Sequence, residues 1–209
     1  MNTPLPRRRM LIVASCVASF PGCSVLPSSP TPQIYRLSPE ASDPPHGRIL
    51  HRRLVVDIPT ASESLDTDRI ALVRDRTKFD YYANSLWTDR VPVMVQTLLV
   101  EAFESDGRIA EVGRDARTLT PEYFLETEIR RFEAVYAGVV DQAPTVVVVL
   151  DLGLVKMPDH RMLGHTLVTQ RSPAVHNSVN SIVEAFDVVV GEILRQCVAW
   201  TINMMSRAG

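Results

Sequence analysis

Few residues in this chain have the types and spacing that could do chemistry. Glu126 and Glu128 lie two apart in Tyr123-Phe124-Leu125-Glu126-Thr127-Glu128-Ile129-Arg130, so on a strand they share one face. Two carboxylates so placed can divide acid and base roles. They can equally pair with Arg130, Arg131 or basic residues of a neighbouring strand, and that is the reading adopted. His160 and His165 could meet across a hairpin and ligate a metal. With His46, His51 and His176 scattered, solvated turn and strand histidines account for the pattern. Cys197 falls on an apolar helical face with no histidine beside it, where a thiol behaves as a small hydrophobe. The chain contains no Gly-x-Ser-x-Gly elbow, phosphate-binding glycine loop, His-Glu-x-x-His or paired-cysteine motif. The sequence therefore predicts no catalytic residue, no metal site and no cofactor. Tyr81, Tyr82 and Trp87, in Asp80-Tyr81-Tyr82-Ala83-Asn84-Ser85-Leu86-Trp87, form the one aromatic cluster. Exposed, they would make a partner-binding surface; packed, they would hold a hairpin against a helix.

The remaining candidate is a modification. Arg7-Arg8-Arg9 precedes the apolar run Met10 to Phe20, and Pro21-Gly22-Cys23 follows. A basic start, about 7–15 apolar residues and a small residue at the cut make a secretory signal. The run is shorter than the roughly 20 residues a membrane-spanning helix needs. Phe20-Pro21-Gly22-Cys23 matches the end of a bacterial lipoprotein signal at Gly22 and departs from it at Phe20 and Pro21. Val13-Ala14-Ser15-Cys16 fits the four-residue pattern better but leaves only a short apolar core. Cys23 is taken as the lipidated residue, with Cys16 as the alternative. This divides the chain into a signal peptide, 1–22, a Pro/Ser-rich tether with a short first strand, 23–47, and a domain, 48–209. Nine of the fifteen prolines precede residue 46, as expected of an extended tether.

The full chain carries 22 basic and 24 acidic residues. Loss of Arg7, Arg8 and Arg9 leaves 19 against 24, a net charge of −5, which gives no electrostatic footprint for nucleic acid. An apolar content of 45% suits a domain with a real core. Cys197 is the only cysteine beyond the signal region, so no internal disulfide is available to the fold.

The elements follow from periodicity. Strands are expected at Gln33 to Leu37, Arg53 to Ile58, Ile109 to Val112 and Tyr123 to Tyr136. Arg69 to Val73 and Lys78 to Tyr82 read as a hairpin turning at Arg74 to Thr77. Val91, Val95, Leu98, Leu99, Ala102 and Phe103 mark one face of a helix, with Asp89 as its N-cap and Gly107 as its stop. Thr145 to Val155 is almost continuously apolar and β-branched, which suits a strand covered on both faces. Arg161 to Ser172 returns as its antiparallel partner. Val179, Ile182, Phe186, Val189, Val190, Ile193, Cys197 and Trp200 make the inner face of a long last helix, capped by Asn177, Ser178 or Ser181; Ser181 and Glu184 have capping-box spacing. The predicted fold class is α+β, a two-layer sandwich of an antiparallel-rich mixed sheet with two main helices packed on it.

Leu65-Asp66-Thr67-Asp68-Arg69-Ile70-Ala71 and Phe79-Asp80-Tyr81-Tyr82-Ala83-Asn84-Ser85-Leu86-Trp87-Thr88-Asp89-Arg90-Val91-Pro92 resemble the auxiliary lipoproteins of ABC-type transporters, the small lipoproteins of MCE-domain systems, including the paraquat-inducible one. Tyr35-Arg36-Leu37 and Glu128-Ile129-Arg130-Arg131-Phe132-Glu133 fit the same family, and the resemblance runs from about Gln33 to Met204. It implies a non-enzymatic, periplasm-facing lipoprotein whose partners are an MCE-domain protein with its ABC permease and ATPase. Such systems move phospholipids or sterol-like and other hydrophobic substrates. The family's lipidated cysteine maps onto Cys23. Ser24 stands where an Asp would favour inner-membrane retention in the enteric sorting rule, which points to the outer membrane. Tyr81, Tyr82 and Trp87 are the expected docking residues. Homo-oligomerisation stays open, and the alternative is a lipoprotein of another envelope assembly, Tol-associated or of the lipopolysaccharide-export type.

Overall fold

The computed structural model describes residues 31–39, 47–138 and 142–208. The signal segment with Cys16 and Cys23, and most of the tether, lie outside them. In chain order the elements are β1 (Gln33–Tyr35), β2 (Leu50–Val56), β3 (Thr60–Ala61), β4 (Arg69–Arg74), β5 (Lys78–Trp87), α1 (Val91–Asp106), β6 (Ile109–Gly113), β7 (Tyr123–Val135), β8 (Thr145–Lys156), β9 (Arg161–Pro173) and α2 (Val179–Ala208). Two helices lie with one large mixed sheet, so the architecture is the expected α+β class.

The sheet is organised by β7. Along one side it pairs antiparallel with β8 over its whole length, and β8 continues antiparallel into β9. Along its other side three strands take successive stretches, all parallel to it: β2 beside Tyr123 to Leu125, β3 beside Glu128 and Ile129, and β4 beside Ala134 and Val135. β6 extends the sheet from β2, while β5 and then β1 extend it from β4. The long ladders are antiparallel, whereas the parallel contacts are short.

The alternation in β7 explains how the sheet takes its helices. Tyr123, Leu125, Thr127 and Ile129 are buried and Glu126, Glu128 and Arg130 exposed, so one face packs and the other meets water. β8 departs from this, with Val146 to Leu150 buried without interruption. Its outward valines have long side chains opposite them: Val149 lies opposite Arg131, and Val147 between Glu133 and Arg171. Alkyl stems of that kind cover apolar surface while their heads stay in water.

α1 begins at Arg90, not at the expected Asp89, and no side chain caps it. The Arg90 guanidinium instead pairs with Asp66. Gly107 ends the helix with φ 70° and donates its N–H to the Phe103 carbonyl, the left-handed exit for which glycine is suited. For α2 the cap among the three candidates is Ser178, whose Oγ accepts the Ser181 N–H at 3.4 Å. The Ser181 hydroxyl is used elsewhere, accepting the Val175 and His176 N–H groups at 3.1 and 3.0 Å. Ile182, Phe186, Val189, Val190, Ile193 and Cys197 are buried as their spacing predicts, and Val179 and Trp200 are half-buried. Among the described residues no helix is long and apolar enough to cross a membrane.

The strand that the sequence places within the tether joins the sheet. β1 lies parallel to β5, Leu37 is buried, and the segment runs onto α2. The Tyr35 hydroxyl donates to Asn180 Oδ1 at 3.0 Å, and the Ser38 N–H donates to Asp187 Oδ1 at 2.7 Å. Asp187 is held above its ordinary carboxyl pKa, first by burial, with the negative charge of Glu184 adding to it and the Ser38 N–H opposing it.

Candidate docking surface

The β4–β5 hairpin carries the aromatic cluster, and its turn sets the geometry. Asp75 and Arg76 both take positive φ, 50° and 63°, the sense that matches the twist of paired strands. β5 then departs from regular pairing. Tyr81 lies opposite Ala71, but Leu86 lies opposite Arg69, so β5 holds extra residues between them, and Asn84 sits at φ 53°. Such a bulge breaks strict alternation and re-aims side chains. Tyr81 and Trp87, six apart, would share a face of an unbroken strand. Here they have different surroundings.

Trp87 is a core residue, 2% exposed. Its ring meets Phe186 at 5.2 Å and Phe132 at 6.0 Å, both edge to face, and those two phenylalanines stack at 5.0 Å. The indole thus ties β5 to β7 and α2, and its Nε1 finds no acceptor among the described residues. An indole so enclosed presents no surface to a partner, which corrects its expected role as a contact residue. Tyr82 is half-buried and shares a 2.8 Å hydrogen bond with the Tyr136 hydroxyl, which donates to Asn177 Oδ1 at 2.9 Å. Burial, and then the hydrogen bond to Tyr136, push the Tyr82 phenol above its ordinary pKa. It stays neutral and acts as a structural link.

Tyr81 differs. Its hydroxyl donates to the Ser64 carbonyl at 3.0 Å, the Arg69 guanidinium lies 3.8 Å from its ring centroid, and Phe79 meets it edge to face at 5.4 Å. Phe79 remains 40% exposed. Phe79, Tyr81 and Arg69 therefore form a small aromatic–cation patch beside the hairpin. Arg69 stands in the motif Leu65 to Ala71 that carries the family resemblance, whereas nothing local marks Tyr136 as the partner of Tyr82.

The other candidates resolve into ordinary interactions. Arg130 reaches Glu128 at 2.9 Å and Asp151 at 3.0 Å, and Arg131 reaches Glu133 at 2.8 Å. Glu128 is thus engaged in the ion pairing that its strand position suggests. His165 lies on β9 with Nδ1 3.9 Å from Asp151 Oδ1, and His160 sits in the β8–β9 turn at φ 49°. Among the described residues no three His, Cys, Asp or Glu side chains converge on a metal position. Cys197 is fully buried, and burial pushes its thiol up to about 12, which leaves it protonated and unreactive. Arg130, Val149, Asp151, His165, Thr166 and Leu167 line a shallow hollow on the open face of the sheet. The described surface thus offers an aromatic hairpin patch and an open, charge-paired sheet face.

The described residues thus form one mixed sheet whose long strands carry two helices, with an N-terminal strand joined to the last helix and an aromatic hairpin. The chain belongs to the family of ABC-type transport auxiliary lipoprotein components, whose model matches residues 35–198. A crystal structure of a Xanthomonas campestris protein is similar in fold, with a TM-score of 0.78 and 24% identity over 84% of this chain and 98% of that one. An uncharacterized protein of known structure matches with a TM-score of 0.64 and 13% identity, covering 81% and 98% of the two chains. An uncharacterized Bradyrhizobium diazoefficiens protein is 27% identical over 160 residues, 76% of this chain. The chain spans about two fifths of that relative's length, 41%. The family is one of lipoproteins that are auxiliary components of ABC-type transport.

Proposed function

We propose that the chain is the accessory, non-enzymatic lipoprotein of an MCE-type ABC system that carries phospholipid or a sterol-like hydrophobic substrate. Its membership of the auxiliary lipoprotein family over residues 35–198 is the observation that carries this reading. Lipid on Cys23 holds the chain at the periplasmic face of the outer membrane, and the proline-rich segment supplies reach. The strap from β1 to Ser38 then fixes the end of that tether to β5 and α2. Docking onto the MCE-domain protein uses the hairpin patch of Phe79, Tyr81 and Arg69, with Tyr82 and Trp87 holding the hairpin in shape. Large aromatic side chains beside an arginine are the residue types that dominate protein interfaces.

The test is recovery of partners with the membrane-extracted full chain. An MCE-domain protein should co-purify, and Phe79→Ala, at the exposed position of the patch, should reduce its recovery while moving the melting temperature by no more than about 2–4 °C, roughly 1 kcal/mol. Cys23→Ala should shift the chain from the membrane to the soluble fraction. Capture of another envelope assembly in place of an MCE system would refute the assignment. A Cys23→Ala chain that still carries lipid, at Cys16 or elsewhere, would refute Cys23 as the anchor.

A further inference from the structure

Three segments far apart in the chain meet at one end of the fold. The Tyr35 hydroxyl donates to Asn180 Oδ1 at 3.0 Å, which brings β1 to the start of α2. The Tyr136 hydroxyl donates to Asn177 Oδ1 at 2.9 Å, and the Tyr136 N–H donates to the Val73 carbonyl at 2.9 Å, which brings the root of the β4–β5 turn to the same place. The third segment is the β9–α2 connection, where the Ser181 hydroxyl accepts the Val175 and His176 N–H groups. The β8–β9 turn lies at the opposite end, since β7 pairs with β8 from Val135 opposite Thr145 to Tyr123 opposite Lys156, a length of ~40 Å. The chain before β1 also arrives at the first end. β5 runs from Lys78, at the turn, to Trp87, and β1 lies parallel to its last residues, with Gln33 opposite Ser85. The residues preceding Gln33 therefore come from the side of the turn. Arg74, Asp75, Arg76, Thr77 and Lys78 are all exposed there, three basic residues to one acid, and Lys78 pairs with that acid at 2.9 Å. The next acid, Asp80, lies beyond Phe79 with its carboxylate on the Tyr81 N–H. In a chain of net charge −5 without its signal this is a local reversal of sign. Val175, at 77%, is the most exposed large hydrophobic side chain among the described residues.

We propose that this end rests on the membrane that holds Cys23, with the β4–β5 turn against anionic phospholipid headgroups and Val175 at the interface. The inference rests on Cys23 as the anchor and adds the surface that faces lipid. Chain length carries it. Ten residues separate Cys23 from Gln33, a reach of at most about 33–36 Å. Seven residues of β5 lead from Ser85 back to Lys78, about 23 Å of strand. A tether drawn straight along the hairpin leaves the turn about 10–13 Å from the surface, little more than one Debye length at about 0.1 M salt. Slack brings it closer. Basic side chains at that distance are drawn to an anionic leaflet, and an exposed apolar side chain beside them gains by entering the headgroup boundary. The patch of Phe79, Tyr81 and Arg69, on the strands behind the turn, stays available to the MCE-domain protein.

Fluorescent labels on the detergent-extracted full chain test this, with the purified chain reconstituted into vesicles of phosphatidylcholine alone or mixed equally with phosphatidylglycerol. Val175→Cys and Asp159→Cys, both at exposed positions, each carry one environment-sensitive thiol label. The wild-type chain is the labelling blank, since Cys197 is buried. In mixed vesicles, spin-labelled headgroups should quench the label at position 175 at least roughly threefold more than the label at 159, which lies ~40 Å away at the other end of the sheet. The double variant Arg76→Asn/Lys78→Gln keeps a residue suited to positive φ at 76. It should melt as the wild type does and lower the quenching at 175 at least roughly twofold, to the level in phosphatidylcholine alone. The mass of the N-terminal peptide reports lipid on Cys23 independently. A chain lipidated elsewhere would overturn the anchor and this proposal together. With lipid on Cys23, three results would each overturn this proposal alone: equal quenching at 175 and 159, quenching indifferent to phosphatidylglycerol and to the double variant, or a label at 175 already shielded in detergent and unchanged by lipid, as a second copy over Val175 would give.

Discussion

Replacing Trp87 by alanine separates a core role from a docking role more sharply than any other substitution. The indole is 2% exposed and packs edge to face on Phe132 and Phe186. Truncating a buried aromatic side chain of this size costs about 3–5 kcal/mol, and the two aromatic contacts, each worth roughly 0.5–1.5 kcal/mol beyond area, place Trp87→Ala toward the upper part of that range. For a chain of this length each kcal/mol moves the melting temperature by about 2–4 °C, so a loss of about 4 kcal/mol predicts a fall of roughly 8–16 °C. Trp87→Phe should cost much less, about 1–2 kcal/mol. It keeps a ring against Phe186 and removes a buried N–H that has no acceptor among the described residues. The assay is urea unfolding followed by far-ultraviolet circular dichroism, which does not depend on the lost indole, with partner recovery measured alongside. A Trp87→Ala chain within 1 kcal/mol of the wild type that nevertheless lost its partner would refute the core placement.

Three further outcomes follow from local geometry. Gly107→Ala should cost about 1 kcal/mol in urea unfolding, entirely from backbone strain, because no atom lies within 4 Å of the added methyl position; a neutral result would show that α1 does not exit through a left-handed residue. Cys197 should resist thiol reagents at pH 8 in the folded chain and react on denaturation, as peptide mapping would show, since burial pushes its thiol up to about 12. Asp187, raised by burial, binds its proton more tightly folded than unfolded. Its contribution therefore favours the fold below the unfolded carboxyl pKa of about 3.9 and is lost as pH rises through the higher folded value. Asp187→Asn, which keeps an oxygen for the Ser38 N–H, should flatten the stability profile above the unfolded carboxyl pKa, and an unchanged profile would contradict it.

The regular elements were legible because their signals are local. The α1 stripe, the β-branched run of β8 and the inner face of α2 all lie in the structure where their spacing places them. Ends were less legible where alternatives compete within a few residues. Asp89 had the chemistry of a cap, yet Arg90 holds the position and reaches Asp66, twenty-four residues earlier. Ser181 had the capping-box spacing, yet its hydroxyl serves the β9–α2 connection while Ser178 caps. The parallel placement of β2, β3 and β4 beside successive stretches of β7 left no local trace, since it joins segments far apart in the chain.

Tyr81, Tyr82 and Trp87 show the same division within one hairpin. Their sequence marked an aromatic cluster next to a helix, and composition and periodicity alone set the α+β class. The family followed from ordered motifs that a linear reading can see. Which ring faced inward was decided by tertiary structure. Asn84 takes a left-handed conformation, the pairing with β4 slips, and alternation fails between residues 81 and 87. Trp87 can then meet Phe132 of β7 and Phe186 of α2, while Tyr81 is only half-buried, beneath the Arg69 guanidinium. A strand's period of two is local information, but a bulge is fixed by what the strand must pack against.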